Sequence, residues 1–180
     1  MTERSGAQWC ARFPTSTSVA DLREPFRTAV SHFLAALKNA GASYQIAATY
    51  RPPERAYLMH WAWLIANGTL PGAVPACAGV DIDWTHGGDV AAARAAARAM
   101  VAAYSIRYEP SLTSHHCERR AIDMTVTWDG TLNIRNAHGT LLAIASSPRS
   151  GDNHDLQAIA REFGVIKLVS DPPHWSDDGR

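Results

Sequence analysis

Apolar residues recur at helical spacing through residues 19–40, where Phe26, Val30, Phe33, Leu34 and Leu37 form one stripe and predict a core-facing helix. Ser16 and Ser18 are available as N-caps, with Asp21 and Glu24 near the positive end of the dipole. Pro25 offers a later start and Gly41 a stop. Residues 44–49 read as a short strand, broken by Arg51-Pro52-Pro53. Residues 54–66 are apolar and aromatic at helical length and end at Asn67-Gly68. The stretch 69–88 carries Pro71, Gly72, Pro75, Gly79, Gly87 and Gly88, and predicts a long irregular segment of the kind that often carries function. Asp89 can cap a helix over 90–104 built almost wholly from alanine.

Strands are expected at 106–109 and 120–128. Within Ala121–Thr127 the alternation puts Ile122, Met124 and Val126 on one face and Asp123, Thr125 and Thr127 on the other. Asp129-Gly130 is a hairpin signal, predicting that 131–134 returns along the preceding strand. Residues 154–163 read as a helix capped by Asn153 or Asp152, with Gly164 after it, and 165–169 as a last strand. The tail, 171–180, is polar with two prolines. Helices and antiparallel strands in mixed order predict an α+β fold, a small antiparallel sheet flanked by helices.

The chain has 180 residues, which suits one domain. Seventeen Lys and Arg balance seventeen Asp and Glu, which removes the sequence-wide electrostatic case for nucleic acid or an anionic membrane. No apolar run reaches the roughly 18–20 residues of a membrane span. The first ten residues hold no apolar core, so no signal peptide is expected there. Cys10, Cys77 and Cys117 are too few and too far apart for a disulfide framework or a Cys-x-x-Cys metal site.

Eight histidines draw attention to two segments. In the first, His116 stands seven residues before Asp123, a carboxylate on the polar face of a strand. His115 is its rival, although on extended backbone it would point the other way. In the second, Asp171-Pro172-Pro173-His174-Trp175, two prolines stiffen the backbone between an acid and an imidazole. His116, Asp123 and His174 together would make the three-ligand set of a catalytic zinc site, leaving Asp171 as a free carboxylate for general-base work. The alternative is a solvated tail and a loop histidine. Arg51 is either an ordinary surface arginine or a carboxylate-binding fork. Asp81, Asp83 and His86 could form a second metal site or substrate rim, but read better as a loop whose acids cap locally. Trp61, Trp63 and Trp84 could line a groove, with core packing the better role for Trp61 or Trp63. Cys117 reads as a small packing residue, and Ser114 as a hydrogen-bonding neighbour of the site.

The run Ser114, His116 and Asp123, followed by Asp171-x-Pro-His174-Trp175, resembles the zinc D-alanyl-D-alanine metallopeptidase family. That family includes D-Ala-D-Ala dipeptidases and carboxypeptidases and phage L-alanyl-D-glutamate endopeptidases, and shares its fold with the N-terminal domain of hedgehog signalling proteins. Tyr50-Arg51 before a predicted helix is similar to the family's Tyr-Arg pair. The resemblance implies a single hedgehog/DD-peptidase-like domain over 1–180, with 1–43 as a helical part and 44–175 as catalytic core. It implies Zn2+ on His116, Asp123 and His174, Asp171 as catalytic base, and Arg51, Ser114 and Trp175 on the substrate. The implied substrate is a peptidoglycan stem peptide containing D-residues. Endopeptidase action comes first, because of the Asp base and the long insertion at 58–88. Carboxypeptidase or dipeptidase action, or a zinc-containing wall-binding module, are the alternatives. With no leader in view, a wall substrate implies delivery by another route, such as a holin or a secretion machine, or a leader already removed. The sequence names no delivery machinery or immunity partner. One departure concerns the loop: the family has Gly three residues after the first ligand, and this chain has Arg119.

Overall fold

The computed structural model describes residues 2–180. Its strands and α-helices, in chain order, are β1 (Glu3–Arg4), α1 (Phe26–Asn39), β2 (Ser43–Ala48), α2 (Pro53–Ala66), β3 (Ile82–Asp83), α3 (Val90–Ala103), β4 (Ala121–Thr127), β5 (Leu132–Arg135), β6 (Leu141–Ile144), α4 (His154–Glu162), β7 (Ile166–Lys167) and β8 (His174–Ser176). These helices and small, mostly antiparallel sheets make this a mixed α+β chain. Two compact units are present: one joins the residues up to Thr15 with Arg51–Cys117, the other joins Ser16–Tyr50 with Glu118–Arg180. No helix among the described residues is long and apolar enough to cross a membrane.

The first unit is built on α2 and α3. Pro53 opens α2, where its missing N–H leaves no helical bond unmade. The Asp89 carboxylate accepts from Ala92 N at 2.9 Å and caps α3 as expected. Ala93, Ala97 and Met100 form the buried stripe of α3. Small side chains on that stripe let neighbours approach closely, and the cluster around it holds Trp9, Tyr57, Leu58, Ile65 and Trp84. Trp84 Nε1 donates to Tyr57 Oη at 3.1 Å, and that hydroxyl donates onward to the Pro75 carbonyl at 2.8 Å. Trp84 is therefore a core residue, and Trp61 packs half-buried against the same cluster. Asp83 accepts from Thr85 N, Thr85 Oγ1 and His86 N, the local capping anticipated for that loop. The strand expected at 106–109 does not form. His60 Nδ1 instead lies 2.8 Å from the Pro110 carbonyl, tying this irregular stretch to α2.

The second unit carries a four-stranded sheet in the order β2-β4-β8-β7, with every neighbour antiparallel. The alternation predicted for β4 holds: Ile122, Met124 and Val126 are at most 1% exposed, whereas Asp123, Thr125 and Thr127 lie on the opposite face. The apolar face packs with Phe26, Val30, Phe33 and Leu37 of α1 and Leu156 and Ile159 of α4. The start of α1 is set by Pro25, and the expected caps act earlier in the chain: Ser18 Oγ accepts from Ala20 N in a short 3-10 turn. Gly41, at φ 84°, closes α1, with Ala42 N donating to the Leu37 carbonyl.

Two strand expectations are corrected. The Asp129-Gly130 turn does not return its chain along β4: β5 pairs with β6, and β4 is flanked by β2 and β8. The polar tail supplies β8, a strand with neighbours on both sides, because partners distant in sequence pair with its short run.

Candidate metal centre

The register of β4 against β8 sets the chemistry. Asp123 stands opposite His174, and Ile122 stands opposite Trp175. Directly opposed residues in an antiparallel pair share a face. Asp123 and His174 therefore meet on the polar face, while Trp175 joins Ile122 in the core. Trp175 is 0% exposed, with its ring 5.9 Å from that of Phe33. This corrects the expectation that Trp175 touches substrate: alternation along β8 turns it inward.

The β2 partner of Asp123 is Ala48, after a register shift between Ile46 and Ala48. Such irregularities bend a strand and re-aim the residues beyond them. Here the chain continues through Thr49, whose N–H and hydroxyl both donate to the Ser16 carbonyl.

His116 lies in the turn that leads towards β4. Ser114 Oγ accepts from His116 N at 3.3 Å, and Ser114 O accepts from Cys117 N at 2.8 Å. Arg51 N donates to the His116 carbonyl at 3.2 Å. Ser114 thus shapes the turn that presents His116. Arg51 is bonded to that turn through its main chain, and the residue is half-buried.

Within the second unit, Asp123 and His174 each offer a ligand atom to a possible metal ion. His116 is 2% and His174 7% exposed, so both imidazoles are withdrawn from bulk water. His174 Nδ1 lies 3.1 Å from Asp123 Oδ1, and its Nε2 lies 3.0 Å from the main-chain oxygen of Arg180. A main-chain oxygen only accepts, so Nε2 carries a proton. Nδ1 then faces a carboxylate that also only accepts. Two acceptors at that distance need a positive centre between them, either a second imidazole proton or a metal ion. Burial disfavours the charged imidazole, but the hydrogen bond and charge of Asp123, with the Arg180 oxygen and the charge of Asp171, outweigh it and raise the His174 pKa. Asp123 and His174 are of types that could hold a metal ion, and a contact such as Nε2–H to a main-chain oxygen orients a histidine when it ligates.

Asp171 opens the turn that ends at His174: His174 N donates to the Asp171 carbonyl at 3.0 Å. Asp171 is exposed and belongs to no group of possible metal ligands among the described residues. Asp177 and Asp178 lie beside Arg120 in the second unit. There Arg120 already supplies positive charge: Nε donates to Asp177 Oδ2 at 2.6 Å, and the guanidinium lies 3.6 Å from Asp178 Oδ2. Asp123 and His174 are accordingly the better candidates for holding a metal ion. Asp81, Asp83 and His86 form no such group among the described residues.

Arg119, where the resemblance expects glycine, has φ 63°. Its guanidinium lies 4.0 Å from the Tyr50 ring centroid and donates to the Asp21 carbonyl at 3.3 Å. This conformation costs a non-glycine residue about 1–2 kcal/mol. Arg119→Ala keeps that strain and loses the stacking, so Arg119→Gly should be the more stable of the two by about 1 kcal/mol in urea unfolding.

Lys167 was legible only as part of a strand; its burial and its bonds to the 171–174 turn had no sequence signal. No family model matches the chain, no curated protein matches it, and no solved structure matches it.

Proposed function

We propose that the chain is a zinc-dependent peptidase of peptidoglycan stem peptides, acting as an endopeptidase on peptides that contain D-residues. The observation that carries the metal reading is an imidazole and a carboxylate, His174 Nδ1 and Asp123 Oδ1, 3.1 Å apart on the polar face of the sheet. The substrate class rests on the resemblance of Ser114, His116, Asp123, Asp171 and His174 to the zinc D-alanyl-D-alanine metallopeptidases.

His116, Asp123 and His174 would hold the ion. When bound, it supplies Lewis-acid polarisation of a carbonyl and acidifies water. Asp171 takes a proton from the attacking water and delivers it to the leaving amine as the peptide bond breaks. The Arg51 guanidinium binds a substrate carboxylate, for which its planar fork is suited. A cavity of about 370 Å³ lined by Thr125, Thr127, Ser150, Asp152, Pro172 and Pro173 adjoins the turn that carries Asp171 and offers room for part of a peptide. Such a substrate lies in the cell wall, so delivery to it is part of the proposal.

The test is digestion of purified peptidoglycan, with products identified by mass spectrometry and a chelated sample run alongside. Uncrosslinked or shortened stem peptides from the untreated protein alone are expected. Equal products with and without chelator would overturn the metal reading. One bound zinc per chain with no product would favour a wall-binding module.

A further inference from the structure

The Asp171–His174 turn has an unusual foundation. Lys167 is 6% exposed, although lysine is rarely buried. Its ammonium donates to the carbonyls of Leu168 and Asp171, both at 2.8 Å, and of His174 at 3.4 Å. An ammonium has three protons and no acceptor, so these three carbonyls use all of its capacity. They bracket the turn: Asp171 is its first residue and His174 its last. Pro172 and Pro173 between them have no N–H, so the turn cannot be pinned from its middle by its own donors. From the other side, Met124 N donates to the Pro173 carbonyl at 2.8 Å and ties the turn to β4.

The remaining surroundings of the ammonium match this role. It lies 5.5 Å from the Trp175 ring centroid, and the negative charges of Asp152, Asp171 and Asp123 act on it. A buried cation is costly, and an apolar side chain of like volume often serves stability as well or better. What an apolar side chain cannot do is hold three carbonyls of one turn in a fixed relation.

We infer that Lys167 is the positioning residue of the site, fixing the 171–174 turn so that the His174 imidazole meets Asp123 and the Asp171 carboxylate stands at a set place beside it. This rests on the metal reading above.

The experiment compares the wild-type chain with Lys167→Met and Lys167→Arg. Zinc affinity is measured by competition with a chromophoric chelator, the visible spectrum is recorded on the Co2+-loaded proteins, and folding is followed by circular dichroism. Lys167→Met should remain folded, bind zinc about 10–100-fold more weakly and show an altered Co2+ spectrum, the range typical for loss of a group that orients a ligand. Lys167→Arg, which keeps the charge, should lie between the two. A folded Lys167→Met with wild-type zinc affinity and Co2+ spectrum would overturn the inference and leave the metal site standing. A wild-type chain that binds no zinc would overturn the metal reading first and this inference with it. If Lys167→Met fails to fold, the lysine Nζ resonance of the wild type decides. An ammonium protected from exchange that shifts on zinc addition supports the role, and a fast-exchanging or unmoved one overturns it.

Discussion

Asp171→Ala should keep one zinc per chain and lose stem-peptide cleavage by about 10²–10⁴-fold, the usual worth of a general acid–base group. The two halves of that expectation come from different parts of the turn. The main-chain carbonyl of Asp171 accepts from His174 N and from Lys167, and alanine retains it. The residue is exposed and lies outside the ligand group, so removal of its carboxylate takes no ligand away. Asp171→Asn is the closer probe, because it keeps shape and removes basicity. Zinc stoichiometry by atomic absorption and product yield by mass spectrometry check both halves. Unchanged cleavage by Asp171→Ala would remove Asp171 from the mechanism. Loss of zinc together with activity would make it a ligand or a support of one.

Trp175→Ala should destabilise the chain by about 3–5 kcal/mol, the cost of emptying a large aromatic site in a core. The ring is wholly buried against Phe33, and a Cβ at Gly151 would sit 3.3 Å from it, so little space is left to collapse into. Its Nε1 is buried without a hydrogen-bond partner among the described residues, so Trp175→Phe removes that burden along with some volume and should cost less than alanine. Urea unfolding of the three proteins measures the order. A Trp175→Ala chain as stable as the wild type, but with weakened substrate binding, would return Trp175 to the cleft wall.

Much of the local structure was legible in the residues. The stripe Phe26, Val30, Phe33, Leu34 and Leu37, the Asp89 and Asn153 caps and the alternation in β4 all correspond to observed elements. Those signals repeat within a few residues, and helical periods and caps are satisfied by neighbours in sequence. The candidate ligands His116, Asp123 and His174 were also legible as a set, through their residue types and order. The meeting of Asp123 and His174 was not, since it depends on which strand lies beside β4.

Strand pairing is where local reading failed. Asp129-Gly130 carries the hairpin signal, yet β5 turns to β6, and one side of β4 is taken by His174–Ser176. A run as short as His174–Ser176 has too few positions to show a period, and its register against Ala121–Asp123 is a long-range choice. That register alone sends His174 toward Asp123 and Trp175 into the core. Residue type likewise says nothing about the burial of Lys167 or the left-handed backbone at Arg119, both set within the folded chain. The order of residues dictates the helices, the two faces of β4 and the side-chain types able to hold a metal. Which of those side chains meet is settled by the fold, because Asp123 and His174, 51 positions apart, are brought together by sheet pairing and by nothing nearer.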